Sequence, residues 1–474
     1  MLMVGGGIAA FIALLYTDVP QLHRILVVIM IFLLILETRL LPWNTRKMLL
    51  MVRWGAFSLF AIYFILHFGL GRLKFRVDFY TLMAGSFLLI GFASAAWAST
   101  ALVAFYKTLT VLLMFFLAFV GIRGYLVATG DQGMESLATS YSFLTILVMA
   151  STVLAFAVDP AIAMSSPNIL RGFFNNPNKY ATALLLFSPF LYLKYLNPWG
   201  KATKKIYLAL FLVALAFLCL SFCRAAIGGM LVCAGCYLFV ANRRYFPVYI
   251  VAVIALSAYF WVASMNNADF IPAGLHDVIY KGRKDIMDPV RSERMETTWN
   301  NIKGSPIFGV GFGVSSEKFQ DDLLETGTLV AREKGNSYLA LMEELGILGF
   351  AFVAVMFIRY LTWAYGVIRI GIMRGSKRDP NFLVFLVFFS STLGLMADAF
   401  FEAWLLSAGN FPGLIFWSNM MATLYVGQKV AESSRAAARE ESKTEEPVAP
   451  SGTAGQFGYS TLLNSGMRSG QAGR

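Results

Sequence analysis

The chain has 474 residues, of which 58% are hydrophobic, 15% aromatic and only 14% charged. A soluble domain carries roughly 25% charged residues, and a single core cannot hide so much apolar surface; a soluble enzyme, a disordered chain and a fibrous protein are excluded. The formal charge of +12 would suit nucleic acid in a soluble protein, but here the basic residues sit in short loops between apolar runs, where the positive-inside rule places them.

Apolar runs lie near 3–16, 25–36, 48–68, 79–97, 102–122, 141–158, 179–196, 206–222, 225–241, 247–264, 337–360, 382–406 and 411–426. Runs of this length cross a bilayer as helices, and the alternation of a barrel is absent. The first two are short, so the expected fold is an all-α integral membrane bundle of about 12–13 transmembrane helices with one large, partly helical loop. The first run lacks a basic start and is followed by further spans, which argues against a cleaved leader. The expected division is 1–264 for the N-terminal helices, 265–336 for the loop, 337–427 for the C-terminal helices and 428–474 for a disordered tail.

Basic clusters stand at Arg72-Lys74-Arg76, Lys201-Lys204-Lys205, Arg243-Arg244 and Arg369-Arg374-Lys377-Arg378. Counting spans between them places all four, and the tail, on one side, which should be cytoplasmic. Segments 159–178 and 265–336 then share the opposite face. Arg39, Arg46 and Lys47 disagree with this count. So does the large loop, which carries Lys281, Arg283, Lys284, Arg291, Arg294 and Lys303. Cations on the outer face fit an anionic ligand; pairing with Asp285, Asp288, Glu293 and Glu296 on a solvated helix fits equally.

Charges near the membrane are expensive, so each needs a reason. Lys107 stands alone near an outer helix start, where snorkelling would suffice. Arg224, after Ser221-Phe222-Cys223, needs a carboxylate, carbonyl or phosphate, or else snorkels. Residues 291–302 read as an amphipathic helix whose Met295, Trp299 and Ile302 stripe would lie on the membrane or on other helices. After Gly304-Ser305-Pro306 comes Gly309-Val310-Gly311-Phe312-Gly313, which is neither a P-loop nor a dinucleotide fingerprint; a packing turn is the default. Asn336 or Ser337 can cap the next helix. Glu343 and Glu344 lie about two turns inside it, where they should be protonated, paired with an arginine or beside a wet cavity. Asp398 and Glu402 form a second pair at i,i+4 spacing, either as a general base or as counterions for Arg224 and the loop arginines. Cys219, Cys223, Cys233 and Cys236 all fall in apolar runs; the Cys233-x-x-Cys236 spacing lacks a second pair, and packing is the better reading.

Taken in order, Arg171-Gly172-Phe173-Phe174-Asn175-Asn176-Pro177-Asn178, the Ser221-x-x-Arg224 motif, Arg291/Arg294 ahead of Pro306–Gly313, Asn336-Ser337-Tyr338-Leu339 and Glu344–Gly349 form a connected pattern. It resembles the O-antigen ligase/polymerase family of bacterial envelope proteins, over most of 165–350. The resemblance implies a multi-pass, GT-C-type glycosyltransferase of the bacterial inner membrane, independent of metal and without a cofactor. Its donor would be an oligosaccharide on undecaprenyl pyrophosphate, used at the periplasmic face to build O-antigen or exopolysaccharide. Partners would be a glycan acceptor, membrane lipids and a chain-length regulator, with no nucleic acid.

By the same resemblance Arg224 and Arg291 hold the pyrophosphate, with Arg294 one turn away able to replace Arg291. Fixed guanidiniums suit a leaving group that gains negative charge. No Asp-x-Asp motif stands in the outer loop to hold a metal; Asp285-x-x-Asp288 is a poor substitute. Asp398 and Glu402 complete the expected catalytic set. Asn178, Lys107, Arg171, Asn336, Tyr338 and Glu344 are the expected substrate-binding residues. Many relatives read His-Asn-x-Tyr-Leu where this chain has Gly335-Asn336-Ser337-Tyr338-Leu339, and that His is taken as the base. Here the only histidines are His23, His67 and His276, and none fits the motif. A polymerase-like branch is therefore favoured over a ligase to lipid A-core, with Asp398, Glu402, Glu333, Glu344 or His276 left as candidate bases. A lipid-linked oligosaccharide flippase and a non-catalytic envelope partner are the competing readings. No internal repeat of the transporter kind is present.

Overall fold

In the computed structural model of the chain, the described residues are 78–166, 169–200, 204–265, 289–314, 335–373, 379–407 and 410–444, with 30–31, 34–35, 37–39 and 58. For Lys204, 256–265, 289–294 and 438–444 only the backbone is considered. The apolar run near 3–16 and most of those near 25–36 and 48–68 therefore lie outside the description, as do His23, His67, His276 and Glu333.

The described chain is helical almost throughout. In order it forms α1 (Phe79–Ala93), α2 (Ala101–Phe115), a π-helical stretch (Phe116–Ile122), α3 (Arg123–Thr129), α4 (Asp131–Val158) and α5 (Pro160–Ala163). A two-stranded antiparallel hairpin of β1 (Met164–Ser166) and β2 (Ile169–Leu170) follows. Then come α6 (Pro177–Leu196), α7 (Lys204–Leu220), α8 (Arg224–Ala241), α9 (Phe246–Met265), α10 (Pro289–Gly304), α11 (Ser337–Met373), α12 (Pro380–Asp398) and α13 (Phe411–Thr444). Six helical stretches among the described residues are long and apolar enough to cross a membrane. The chain is an all-α integral membrane protein.

Local signals set several starts. Asn176, Asp379 and Asp159 each accept a backbone N–H two residues on, and each is followed by Pro at the first helical position, where the ring costs no hydrogen bond. Helix α6 is largely enclosed, packing on α4, α7, α8 and α12.

Gly229 of α8 and Gly394 of α12 meet so closely that a Cβ on either would stand 2.5–2.6 Å from the other's carbonyl oxygen. Small residues let membrane helices approach in this way. Farther along, Cys236 lies beside Ser390. Numbers rise on α8 as they fall on α12, so the two run antiparallel, and the Arg224 start lies level with the Asp398 end. Helices α4 and α6 are antiparallel too, tied by Thr152 to Tyr180 near one end and by Lys194 and Glu135, 4.0 Å apart, near the other.

These pairings sort the loops into two ends. Segments 159–166, 169–178, 306–313, 335–337, 398–407 and 410–411 gather at one. At the other, Lys429 binds Asp131 at 2.6 Å, Arg123 binds Asp78, and α6, α8 and α11 finish. The clusters at 201–205, 243–244 and 369–378 thus follow helices that end on one side, as their charge suggested; Arg72–Arg76 lies outside the described residues. Arg39 falls at the first end, its N–H bonded to Phe173 O at 2.9 Å, which agrees with its misfit to the charge rule.

The chain divides into one unit up to Ala431 and a second over Glu432–Arg474. Helix α13 continues to Thr444, into the stretch read as a disordered tail. Arg435, Ala436 and Ala437 are strong helix formers, which composition-based disorder overlooked.

Candidate active site

A break in α11 organises the first end. Gly346 has φ 64° and ψ −166° inside the helix, a conformation essentially closed to any side chain. Breaking the ladder frees carbonyls and N–H groups, which in a membrane must find partners. They find them in the glycine turn. Val310 and Gly311 donate to the carbonyls of Glu343 and Glu344 at 2.9 and 3.0 Å, while Ile347 and Leu348 donate to Pro306 and Ile307 at 2.9 and 3.3 Å. A Cβ on Gly346 would sit 2.2 Å from Ile307 O, and one on Gly309 2.4 Å from the Glu344 carbonyl carbon. The packing turn is thus a plug that fastens α10 to α11.

Side chains lock the plug. Lys107 Nζ lies 2.5 Å from Glu344 Oε2, both residues buried, and the Gly313 N–H reaches the same oxygen at 2.9 Å. The ammonium also stands 4.5 Å from the centre of the buried Phe312 ring, a cation–π contact. The Phe312 N–H meets Ser94 Oγ at 3.1 Å. Glu343 accepts from Asn301 Nδ2 of α10 at 2.6 Å. Two expectations change here. Lys107 does not snorkel, and the partner of Glu344 is a lysine rather than an arginine, supplied by a helix 237 residues earlier.

Helix α10 forms as expected, but its packing stripe is shifted. Thr298 and Ile302 are buried, whereas Met295 and Trp299 are about half exposed, beside exposed Ile307 and Phe308. These exposed apolar groups suit lipid. Arg291 and Arg294 lie on the first turns of this helix; their side chains are outside the description.

The second cluster surrounds Glu402. Asp398 is the last residue of α12, and Glu402 stands in the turn beyond it, its N–H bonded to Asp398 O; the pair shares a terminal turn rather than a helix face. Glu402 Oε1 accepts from Asn178 Nδ2 at 2.6 Å. Asn336 caps α11 through Tyr338 and Leu339 N–H. Ser337 then fixes the turn: its Oγ donates to Glu402 O at 2.7 Å and accepts from Trp404 and Leu405 N–H. Tyr338 donates to Met396 O at 3.0 Å. Asp398 is fully buried and accepts from Trp404 Nε1 at 2.8 Å. The described contacts of these two carboxyls include Trp404 for Asp398 and Asn178 for Glu402.

A pocket of about 30 Å³ opens here, lined by Glu37, Asn178, Lys179, Thr182, Glu402, Trp404, Asn410 and Phe411 among others. Lys179 Nζ binds Glu37 Oε2 at 2.7 Å. The backbone at 37–39 is held against 173–175 by Asn175, whose N–H and Nδ2 both reach Glu37 O at 3.0 Å. Glu37 and Lys179 were not singled out in the sequence. Glu37 terminates an apolar run and Lys179 adjoins Asn178, but nothing in either position announces the other.

Arg224 is the first residue of α8 and is exposed. No side chain caps that helix start, so its first-turn N–H groups point toward the same end. Arg171 serves structure instead: buried, it donates through Nε and Nη2 to Ile162 O and Ala161 O at 3.1 and 2.9 Å. Burial, and the charge of Arg39, lower its pKa. Cys223 and Cys233 are buried, Cys236 is partly so, and Cys219 is exposed; all four are free thiols.

The O-antigen ligase family profile matches residues 209–354. That segment is similar to the O-antigen ligase family, which supports the resemblance seen in the sequence. The matched segment runs from within α7 to beyond the break in α11. It includes Arg224, Arg291, Arg294, Asn336, Tyr338 and Glu344, whereas Lys107, Arg171, Asn178, Asp398 and Glu402 lie outside it. Enzymes of the O-antigen ligase family are of the membrane glycosyltransferase/ligase type and act on lipid-linked glycans. No curated protein matches the chain.

Proposed function

We propose that this chain is a polysaccharide polymerase of the bacterial inner membrane, working at the periplasmic face without a metal ion. It joins glycan repeat units carried on undecaprenyl pyrophosphate. The observation that carries this reading is the meeting, at one end of the bundle, of the uncapped α8 start with Arg224 and the Glu402 pocket. The α8 terminus favours negative charge, and the exposed guanidinium offers paired donors to phosphate oxygens. Arg291 and Arg294 begin the helix that the plug holds in place. Charge developing on the departing pyrophosphate would be met by fixed donors.

Membrane lipids lie along the exposed apolar residues of α10 in this reading, and a chain-length regulator is a further partner. The polymerase is preferred to a ligase because Gly335 stands where the family carries its His. A flippase would also need cations for pyrophosphate, and α11 is interrupted as transporter helices often are. Transporters, however, use such breaks to line a midplane site, and here the break is filled by the 306–313 turn.

The test is complementation of a deletion strain. Arg224→Ala and Arg291→Ala should each abolish or sharply shorten the polymer while lipid-linked single repeats accumulate. Unchanged polymer length and amount in both variants overturns the proposal.

A further inference from the structure

We propose that the Glu402 pocket is the subsite for the acceptor's hydroxyl group and that Glu402 is the base that takes its proton. This rests on the glycosyl-transfer reading above and adds to it the acceptor site and the acid–base residue.

Among the candidate bases, the structure separates those it describes. Glu344 is committed to Lys107 and to the Gly313 N–H, a buried ion pair that holds its charge in place. Asp398 has no exposed surface. Its Oδ2 takes the Trp404 N–H, and its Oδ1, with Thr182 beside it, makes no hydrogen bond to the described residues. It sits one layer behind the pocket wall. Glu402 alone of these three lines the pocket.

Glu402 is also the best positioned. Its backbone is held by the Ser337 hydroxyl and by the α12 terminal turn, and its carboxylate by Asn178. Asn178 is itself fixed as part of the capped start of α6. That amide contact orients the Glu402 carboxylate at the pocket wall. Across the pocket, the Lys179–Glu37 pair offers a donor and an acceptor to a polyol. Trp404 and Phe411 supply aromatic walls. A void of about 30 Å³ holds a hydroxyl-sized group, not a whole sugar ring, so the ring would rest at the mouth with one hydroxyl inserted.

The step balances as follows. The acceptor hydroxyl oxygen forms a bond to the donor's anomeric carbon as that carbon's bond to the pyrophosphate oxygen breaks. The bonding electron pair leaves with the pyrophosphate, whose added charge Arg224 meets, and the hydroxyl proton passes to the Glu402 carboxylate. Release of that proton to water restores the enzyme.

The experiment uses the full chain in lipid nanodiscs, lipid-linked glycan extracted from a strain lacking the protein, and polymer formation as the readout across pH 5–9. Removing a general base typically lowers rate by about 10²–10⁴-fold. Glu402→Gln should therefore lose at least about 100-fold in kcat at neutral pH while retaining its binding of labelled lipid-linked glycan. Glu402→Asp should keep measurable activity with a displaced acid limb in its pH–rate profile. Lys179→Ala and Glu37→Gln should raise KM for the acceptor more than they lower kcat. The inference is overturned if Glu402→Gln polymerises within about threefold of the native chain, or if Glu402→Asp keeps the native acid limb. If Arg224→Ala is inactive while Glu402→Gln is active, only the base assignment falls. If both are fully active, the glycosyl-transfer reading falls with it.

Discussion

Glu344 and Glu402 are the same side chain at the same end of one bundle, yet their surroundings give them opposite character. Glu344 is buried against an ammonium and a backbone N–H. Removing charge from water is expensive, and only close pairing offsets it. Once paired, such a carboxylate has little freedom to exchange a proton. Glu402 is partly open, lines a pocket, and accepts a hydrogen bond from the Asn178 amide. The comparison teaches that surroundings, not residue type, divide these carboxylates: one is enclosed in the fold and the other lines a pocket.

The strongest way to break the structural half of that contrast is at Gly346. Alanine there must adopt a glycine-only conformation and would meet Ile307 O at 2.2 Å. Strain of ~1–3 kcal/mol adds to buried backbone groups that lose partners at ~1–3 kcal/mol each. Gly346→Ala should therefore yield little folded protein, seen as loss of the monodisperse peak in detergent. A native elution profile would show that the plug is not needed.

Lys107→Ala comes next. It strands a buried carboxylate, a change that costs about 3–5 kcal/mol, and should lower the thermal midpoint and expose the 306–313 turn to protease. Lys107→Met combined with Glu344→Gln should recover most of the loss, because the amide still accepts from Gly313 while no charge remains. If the double variant is no better than Lys107→Ala, the pair is not the reason for the loss.

Asp398→Asn sharpens the other half. The amide oxygen can still accept from Trp404, so destabilisation should stay near ~1 kcal/mol and polymer formation within a few-fold of native. A loss as deep as that expected for Glu402→Gln would move the chemistry one layer inward, to Asp398.

How much of this was legible in the sequence follows from range. Helices, their caps and the sidedness of the loops rest on local composition and on Lys and Arg counts, and the all-α membrane fold could be read from them. The site end was legible in outline as well, since Arg224, Asn178, Asn336 and Glu402 all fall in boundary segments. Partnerships were not. Lys107 and Glu344 are 237 residues apart and Asn178 and Glu402 are 224 apart, and no local pattern encodes which charge meets which. Gly346 fell inside the apolar run 337–360 and so read as helix, because a broken helix plugged by another segment keeps its apolar character. The shifted stripe of α10 has the same origin: its exposed Met295 and Trp299 look like core residues until the solvent is lipid.

The opposite end supplies the weakest expected effect, and with it a control. Lys429 and Asp131 lie 2.6 Å apart with side chains 28% and 66% exposed. At that exposure water screens the pair and the side chains lose entropy in forming it, so its worth is within ~0–1 kcal/mol. Lys429→Ala should shift the thermal midpoint by no more than a few degrees, and that small shift should fade as salt rises. The loss at Lys107→Ala should persist in the same salt series, because counterions do not reach a pair enclosed by Phe312 and the glycine turn. Equal salt sensitivity in the two variants would mean that water enters the Lys107 site, and the distinction between a sealed structural carboxylate and an open working one would then have to be redrawn around access rather than pairing.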